Sequence, residues 1–142
     1  MNVRKPADYS AMYRELTKIL TQNFSQMAEI CAIGKAVSCR PEKGAAVAAA
    51  EFLQANFPDR TGFSPRNVRR MRDFYRTCEN DEPLLRLAMK IGWTLNVVIM
   101  EAELTRDERK WYLDQALCRG WSKTQLLNAI RSGIDSTEHL EQ

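Results

Sequence analysis

A chain of 142 residues is long enough for one domain with a real core, one that withdraws about 68 per cent of its unfolded surface from water. Its formal net charge of +3 is too mild for total charge to decide anything, so any electrostatic argument must rest on how the charge is distributed. Four scattered cysteines and one histidine exclude most metal and disulfide frameworks: Cys31, Cys39, Cys78 and Cys118 form no C-x-x-C pair, and His139 lies in a polar tail. Cys31 and Cys78 fall on apolar helical stripes and read as small core residues in a reducing compartment. The start, MNVRKPADYS, has no signal-peptide core, and no uncharged apolar run is long enough to span a membrane. A cytoplasmic protein without cofactors is expected.

The first periodic run places Tyr9, Met12, Tyr13, Leu16, Ile19, Leu20, Phe24, Met27, Ile30 and Cys31 at steps of three and four. It predicts one amphipathic helix from about Asp8 towards Val37. SCRPEKG breaks the pattern, and AAVAAAEFLQANF resumes it with Ala45, Ala49, Phe52 and Leu53 on one side. After the turn-forming PDRTG, Ser64 can cap a helix whose first position is Pro65, where the missing N–H costs nothing. That helix gives way at Glu79–Asn80–Asp81–Glu82–Pro83, and another is expected from Pro83 to Ile91.

Gly92 and Trp93 interrupt before TLNVVIMEAEL, where Leu95, Val98, Ile99 and Ala102 recur at helical spacing, although the β-branched residues also suit a strand. Helix is the favoured reading. Thr105–Arg–Asp–Glu108 and Ser122–Lys–Thr–Gln125 both match the capping box and mark two more helix starts. Trp111, Leu113, Ala116 and Leu117 are expected to face inward, Gly120 to end the first of these helices, and Leu126, Leu127 and Ile130 to continue the core. The predicted fold is all-α: a single compact domain over 1–142 of about seven helices with a helix-turn-helix-like unit, a core over about 8–134 and a polar tail, 135–142.

Charge is concentrated in one place. Between Arg60 and Arg76 six arginines stand against a single acid, Asp73. On the helix from Pro65, Val68, Met71, Phe74, Tyr75 and Cys78 form an apolar stripe, Arg66, Arg69, Asp73 and Arg76 lie opposite, and Arg70 and Arg72 sit on the flanks. Outward guanidinium groups can hold phosphates by paired hydrogen bonds and reach base edges in a DNA groove. Such a face can equally be a solvated surface or be paired with acids from elsewhere. Asn67 is open to two readings as well, an adenine-reading amide or a turn-stabilising one near the helix start. Trp93, Trp111 and Trp121 read as packing residues rather than base-stacking platforms.

One theme occurs twice: helix, glycine-containing turn, serine-capped helix. AAVAAAEFLQANFPDRTGFSPRNVRRMRDFY and ERKWYLDQALCRGWSKTQLLNAI are both compatible with a helix-turn-helix. The first carries arginines on its second helix; around its second helix the other offers only Arg119, Lys123 and Arg131, and it reads as a packing unit.

The separated motifs resemble the N-terminal helical domain of the bacterial YhcG-like proteins. The residues that carry the resemblance are Gly62, Phe63, Ser64, Arg66, Asn67, Met71, Arg72, Phe74 and Tyr75, then Trp93, Trp111 and Tyr112, then Gly120, Trp121, Ser122, Leu126 and Ile130, with Ile33–Gly34 upstream. It spans roughly Tyr9 to Ile134. The resemblance implies a helix-turn-helix-like domain that usually precedes a nuclease domain of the PD-(D/E)XK type. The chain reaches Gln142 where that nuclease would begin, and its helical periodicities supply no strand-borne Asp and Glu/Lys set, so nuclease activity is not expected here. Leu95 stands where the family often has histidine.

The expectation is therefore a non-catalytic DNA-binding module acting through Arg66, Asn67, Arg69, Arg70, Arg72 and Arg76, with no catalytic or metal site. The alternative is an interaction module that partners a separate nuclease or forms a homodimer.

Overall fold

The computed structural model describes residues 7–133, which form eight α-helices and, within that range, no strand. The chain divides between Arg76 and Thr77 into two compact units.

In the first unit, α1 (Ser10–Leu20) and α2 (Gln26–Ser38) replace the single long helix expected over this run. The Thr21 hydroxyl turns back to the carbonyls of Thr17 and Lys18, and the Ser25 hydroxyl accepts the Ala28 N–H at 3.3 Å to open α2. Local side-chain bonds of this kind compete with helix continuation. The apolar spacing ran through the break because Phe24 falls in register, yet Phe24 is 41% exposed and outside the core. This split accounts for eight helices where about seven were expected.

Arg40 ties the far end of the α1–α2 hairpin. It donates to both carboxylate oxygens of Glu42 at 2.9 and 3.1 Å and to the Asp8 carbonyl at 2.8 Å, and its guanidinium covers the Tyr9 ring at 4.8 Å. The end of α2 therefore lies beside the start of α1, which makes the pair antiparallel. Helix α3 (Ala45–Asn56) buries Ala45, Ala46, Ala49, Ala50 and Leu53, and Phe52 stacks on Tyr13 with ring centroids 4.5 Å apart. The small side chains let neighbouring backbones approach.

At Gly34 the backbone of α2 comes against that of α4 (Pro65–Cys78). A Cβ on Gly34 would overlap the Met71 carbonyl oxygen and come 3.1 Å from the Tyr75 Cβ. Only glycine fits this crossing.

In the second unit, α5 (Glu82–Ala88) is shorter than the expected Pro83–Ile91 and starts one residue earlier, because the Asp81 carboxylate caps it by accepting the Leu84 N–H at 3.2 Å. The same carboxylate meets Arg106 at 3.3 Å and Lys110 at 3.2 Å on α7 (Arg106–Arg119), pinning α5 to α7. Helix α6 (Trp93–Glu101) is helix, as favoured, and packs on both α7 and α8 (Lys123–Ser132). Its buried polar residue is Asn96, whose amide nitrogen donates to the carbonyls of Ala88, Ile91 and Gly92 at 2.9, 3.0 and 3.1 Å. The Ala88 and Gly92 carbonyls also accept the backbone N–H groups of Ile91 and Asn96, each at 3.2 Å, so the amide ties the end of α5 to the start of α6.

Both capping boxes are formed, Thr105 with Glu108 and Ser122 with Gln125. Gly120 takes the left-handed conformation at φ 62° that ends α7. Two leucines expected in the core lie outside it: Leu117 is 39% and Leu127 38% exposed. Adjacent helical residues point about 100° apart, so when Ala116 and Leu126 are buried their neighbours turn outward. His139 and the tail, 135–142, lie outside the described residues.

Candidate nucleic-acid interface

Helix α4 begins where its sequence says it should. The Ser64 hydroxyl accepts the Asn67 N–H at 3.1 Å, the Ser64 carbonyl accepts the first helical bond from Val68, and Pro65 occupies the first position. The preceding loop is anchored by the Gln54 side chain, which donates to the Phe63 carbonyl at 2.8 Å, and by burial of the Phe63 ring. Gly62 supplies a positive φ of 88° at the bend.

The helix presents the two faces its spacing predicts. Val68, Met71, Phe74 and Cys78 are buried and Tyr75 is half-buried, whereas Arg66, Arg69, Asp73 and Arg76 are exposed and Arg70 and Arg72 lie at intermediate depth. The arginines of this stretch differ in how they are engaged. Arg60 pairs with Glu29 and covers the Phe63 ring, Arg72 pairs with Asp73 at 3.0 Å, and the Arg76 Nε donates to the Ser38 hydroxyl at 3.0 Å. Arg66 and Arg69 are exposed with no ion-pair partner among the described residues. They stand one turn apart, a rise of about 4.5 Å.

Asn67 faces elsewhere. Its side-chain nitrogen donates to the Gly62 carbonyl at 2.6 Å, closing the loop onto the first turn of the helix. Sequence reasoning missed two partners here. Glu29 sits inside the apolar run MAEICAI at a position that is buried, and an acid on an apolar stripe is the signal that it needs a cation. Ser38 gave no signal.

The second serine-capped pair carries less charge. Arg119 donates to Gln115 at 2.7 Å and lies 5.8 Å over the Trp121 ring, while Lys123 and Arg131 are exposed at opposite ends of α8. Trp93, Trp111 and Trp121 are all half-buried, and Trp111 meets Tyr112 edge-on at 4.9 Å. The connection from α7 to α8 is confined to residues 120–122, whereas that from α3 to α4 runs over 57–64.

Among the described residues no group of three or more His, Cys, Asp or Glu side chains is placed to hold a metal ion, and no helix is long and apolar enough to cross a membrane. All four cysteines are free thiols; Cys78 is buried and Cys31 partly so, where burial pushes its thiol pKa up.

An all-helical scaffold carrying one arginine-faced helix is the class that the geometry defines. Residues 33–135 match the family model of the DUF1016 N-terminal domain, and the chain belongs to that family. It is the YhcG-like N-terminal domain that the separated motifs resemble, and the matched span takes in Gly34, α4 and both capping boxes. No curated protein and no solved structure matches the chain.

Proposed function

We propose that this domain binds DNA without catalysing a reaction, using α4 as a phosphate-contacting helix, in the reducing environment of the cytoplasm that its free cysteines suit. The observation that carries the reading is the pair Arg66 and Arg69, exposed and without an acidic partner among the described residues, on a helix whose opposite face is buried. Arg76 extends the same face by about two turns, and Arg70 and Arg72 flank it. Helices α3 and α4 with their connecting loop make the helix-turn-helix-like unit of this proposal, with a longer connection than the three or four residues usual in that motif. Asn67 supports the helix start.

Fluorescence anisotropy of a labelled duplex at several salt concentrations tests it. Affinity should fall steeply with salt, and Arg66→Ala with Arg69→Ala should lower the magnitude of the log–log slope by about 2, since each lost phosphate contact removes about 0.9. A double variant that kept the full slope would remove α4 from the contact surface.

The second reading, a protein-interaction or dimerisation module that partners a separate nuclease, is favoured by one feature. A groove of about 540 Å³ between α1 and α2 is lined by Met12, Ile19, Ala36 and the exposed Phe24 and edged by Lys18 and Lys35. It predicts a mass in solution above that of one chain, or a copurifying protein, together with no salt-sensitive binding to DNA.

A further inference from the structure

We infer that α4 takes the phosphate backbone of double-stranded DNA and does so without regard to base sequence. This rests on the DNA-binding reading above and specifies which form of nucleic acid it takes and by what contacts.

Base reading from a helix needs side chains near its N-terminus that can pair with base edges in two places, most often arginine with guanine or an amide with adenine; with Arg66 and Arg69 given to phosphates in the reading above, the amide is what remains. The one amide on α4 belongs to Asn67, and it is spent on the fold. Its nitrogen holds the Gly62 carbonyl at 2.6 Å, its backbone N–H is held by Ser64, and the side chain is half-buried. Turning it toward a base would open the bend that sets the start of the helix.

The middle of the outer face argues against deep insertion in a groove. Asp73 is 51% exposed and lies between Arg69 and Arg76 on the same side. In a major groove, walled by phosphates on both sides, that carboxylate would meet like charge from two directions, more than its bridge to Arg72 at 3.0 Å can offset. Against a single backbone, Arg66 and Arg69 at one end and Arg76 at the other can meet phosphates while Arg72 neutralises Asp73 between them. The helix therefore lies across the backbone.

Single strands call for aromatic platforms on which unpaired bases stack. On α4 itself none lies on the arginine side. Phe63 and Phe74 are buried at 5% and 3% exposure, the Phe63 ring is covered by Arg60, and Tyr75 is half-buried on the inner side of α4, opposite the arginines. A helix face of guanidinium groups with no aromatic ring of its own on that side favours the regular, closely spaced phosphates of a duplex.

Competition anisotropy decides it, with the wild-type chain bound to one labelled duplex and displaced by unlabelled duplexes of unrelated sequence, or by a single strand of equal length. Unrelated duplexes should compete within about twofold of one another, as backbone contacts carry no base information. The single strand should compete about tenfold less well. Arg66→Ala with Arg69→Ala should weaken every duplex by a similar factor. One duplex sequence that outcompetes the others by about tenfold, or a single strand that competes as well as duplex, overturns the inference and leaves the DNA-binding reading standing. Failure of the labelled duplex to bind even at low salt sinks that reading, and this inference with it.

Discussion

Helices α4 and α8 open in the same way, each on a serine whose hydroxyl accepts an N–H from the first turn, Ser64 from Asn67 at 3.1 Å and Ser122 from Gln125 at 3.2 Å. Beyond that first turn they diverge. Helix α8 buries Leu126 and Ala129 and leaves Leu127 and a thin scatter of polar groups outside, whereas α4 buries a broad stripe and lines its outer side with arginine. A cap fixes where a helix starts and leaves its use open. What distinguishes α4 is the pairing of an outer face rich in guanidinium with an inner face that meets α2 at Gly34, where no side chain fits.

That seat offers the sharpest way to break the contrast. Gly34→Ala puts a methyl group into the Met71 carbonyl oxygen, a backbone atom that cannot rotate away. We expect a loss of about 3 kcal/mol, the upper end of ordinary overpacking, measured by urea denaturation. DNA binding should fall with it. Wild-type stability in this variant would mean that the α2–α4 crossing is looser than it stands here.

On the α8 side the corresponding keystone is Asn96, which supports the helix that packs on α7 and α8. Asn96→Ala removes the donor shared by three carbonyls in a buried site, at a cost of about 2 kcal/mol. Salt-dependent DNA binding should survive wherever the protein remains folded. If binding vanished while circular dichroism reported a folded chain, the second unit would carry a share of the contact that the present reading gives to α4.

How much of this the sequence carries depends on the kind of signal. The start of α4 at Pro65, both capping boxes and the arginine face were legible, because each is written in neighbouring residues and helical spacing. The break between α1 and α2 was not, since Phe24 keeps the apolar rhythm through residues that local hydroxyl bonds take out of the helix. The outward turn of Leu117 and Leu127 depends on how wide a stripe the neighbouring helices cover, which periodicity alone does not give. The role of Asn96 and the pairing of Glu29 with Arg60 join groups distant in sequence or across a helix junction, where spacing has nothing to say. For the candidate site, spacing correctly separated outer from flanking arginines. It left the two readings of Asn67 level; the bond to the Gly62 carbonyl accords with the turn-stabilising one.

The caps themselves give a smaller, matched pair of tests. Ser64→Ala and Ser122→Ala should each cost about 1 kcal/mol in chemical denaturation, as for other serine caps. Only the first should weaken DNA binding, because Arg66 stands in the turn that Ser64 secures. Equal loss of binding from both would blur the distinction between the two helices.

The smallest expected effect lies in acid. Burial raises the pKa of the Asp81 carboxyl, but the Leu84 N–H, Lys110 and Arg106 together outweigh it and hold the pKa below its ordinary 3.8. A carboxyl with a lower pKa folded than unfolded stabilises the fold fully above the unfolded value, and that contribution drains away as pH falls through the folded one. Asp81→Asn keeps an oxygen to cap α5 and loses the charge that pins α5 to α7. Thermal melts of the variant should therefore lie below wild type at neutral pH and converge with it as pH falls below about 4. A constant gap at every pH would mean that Asp81 acts through its cap geometry alone.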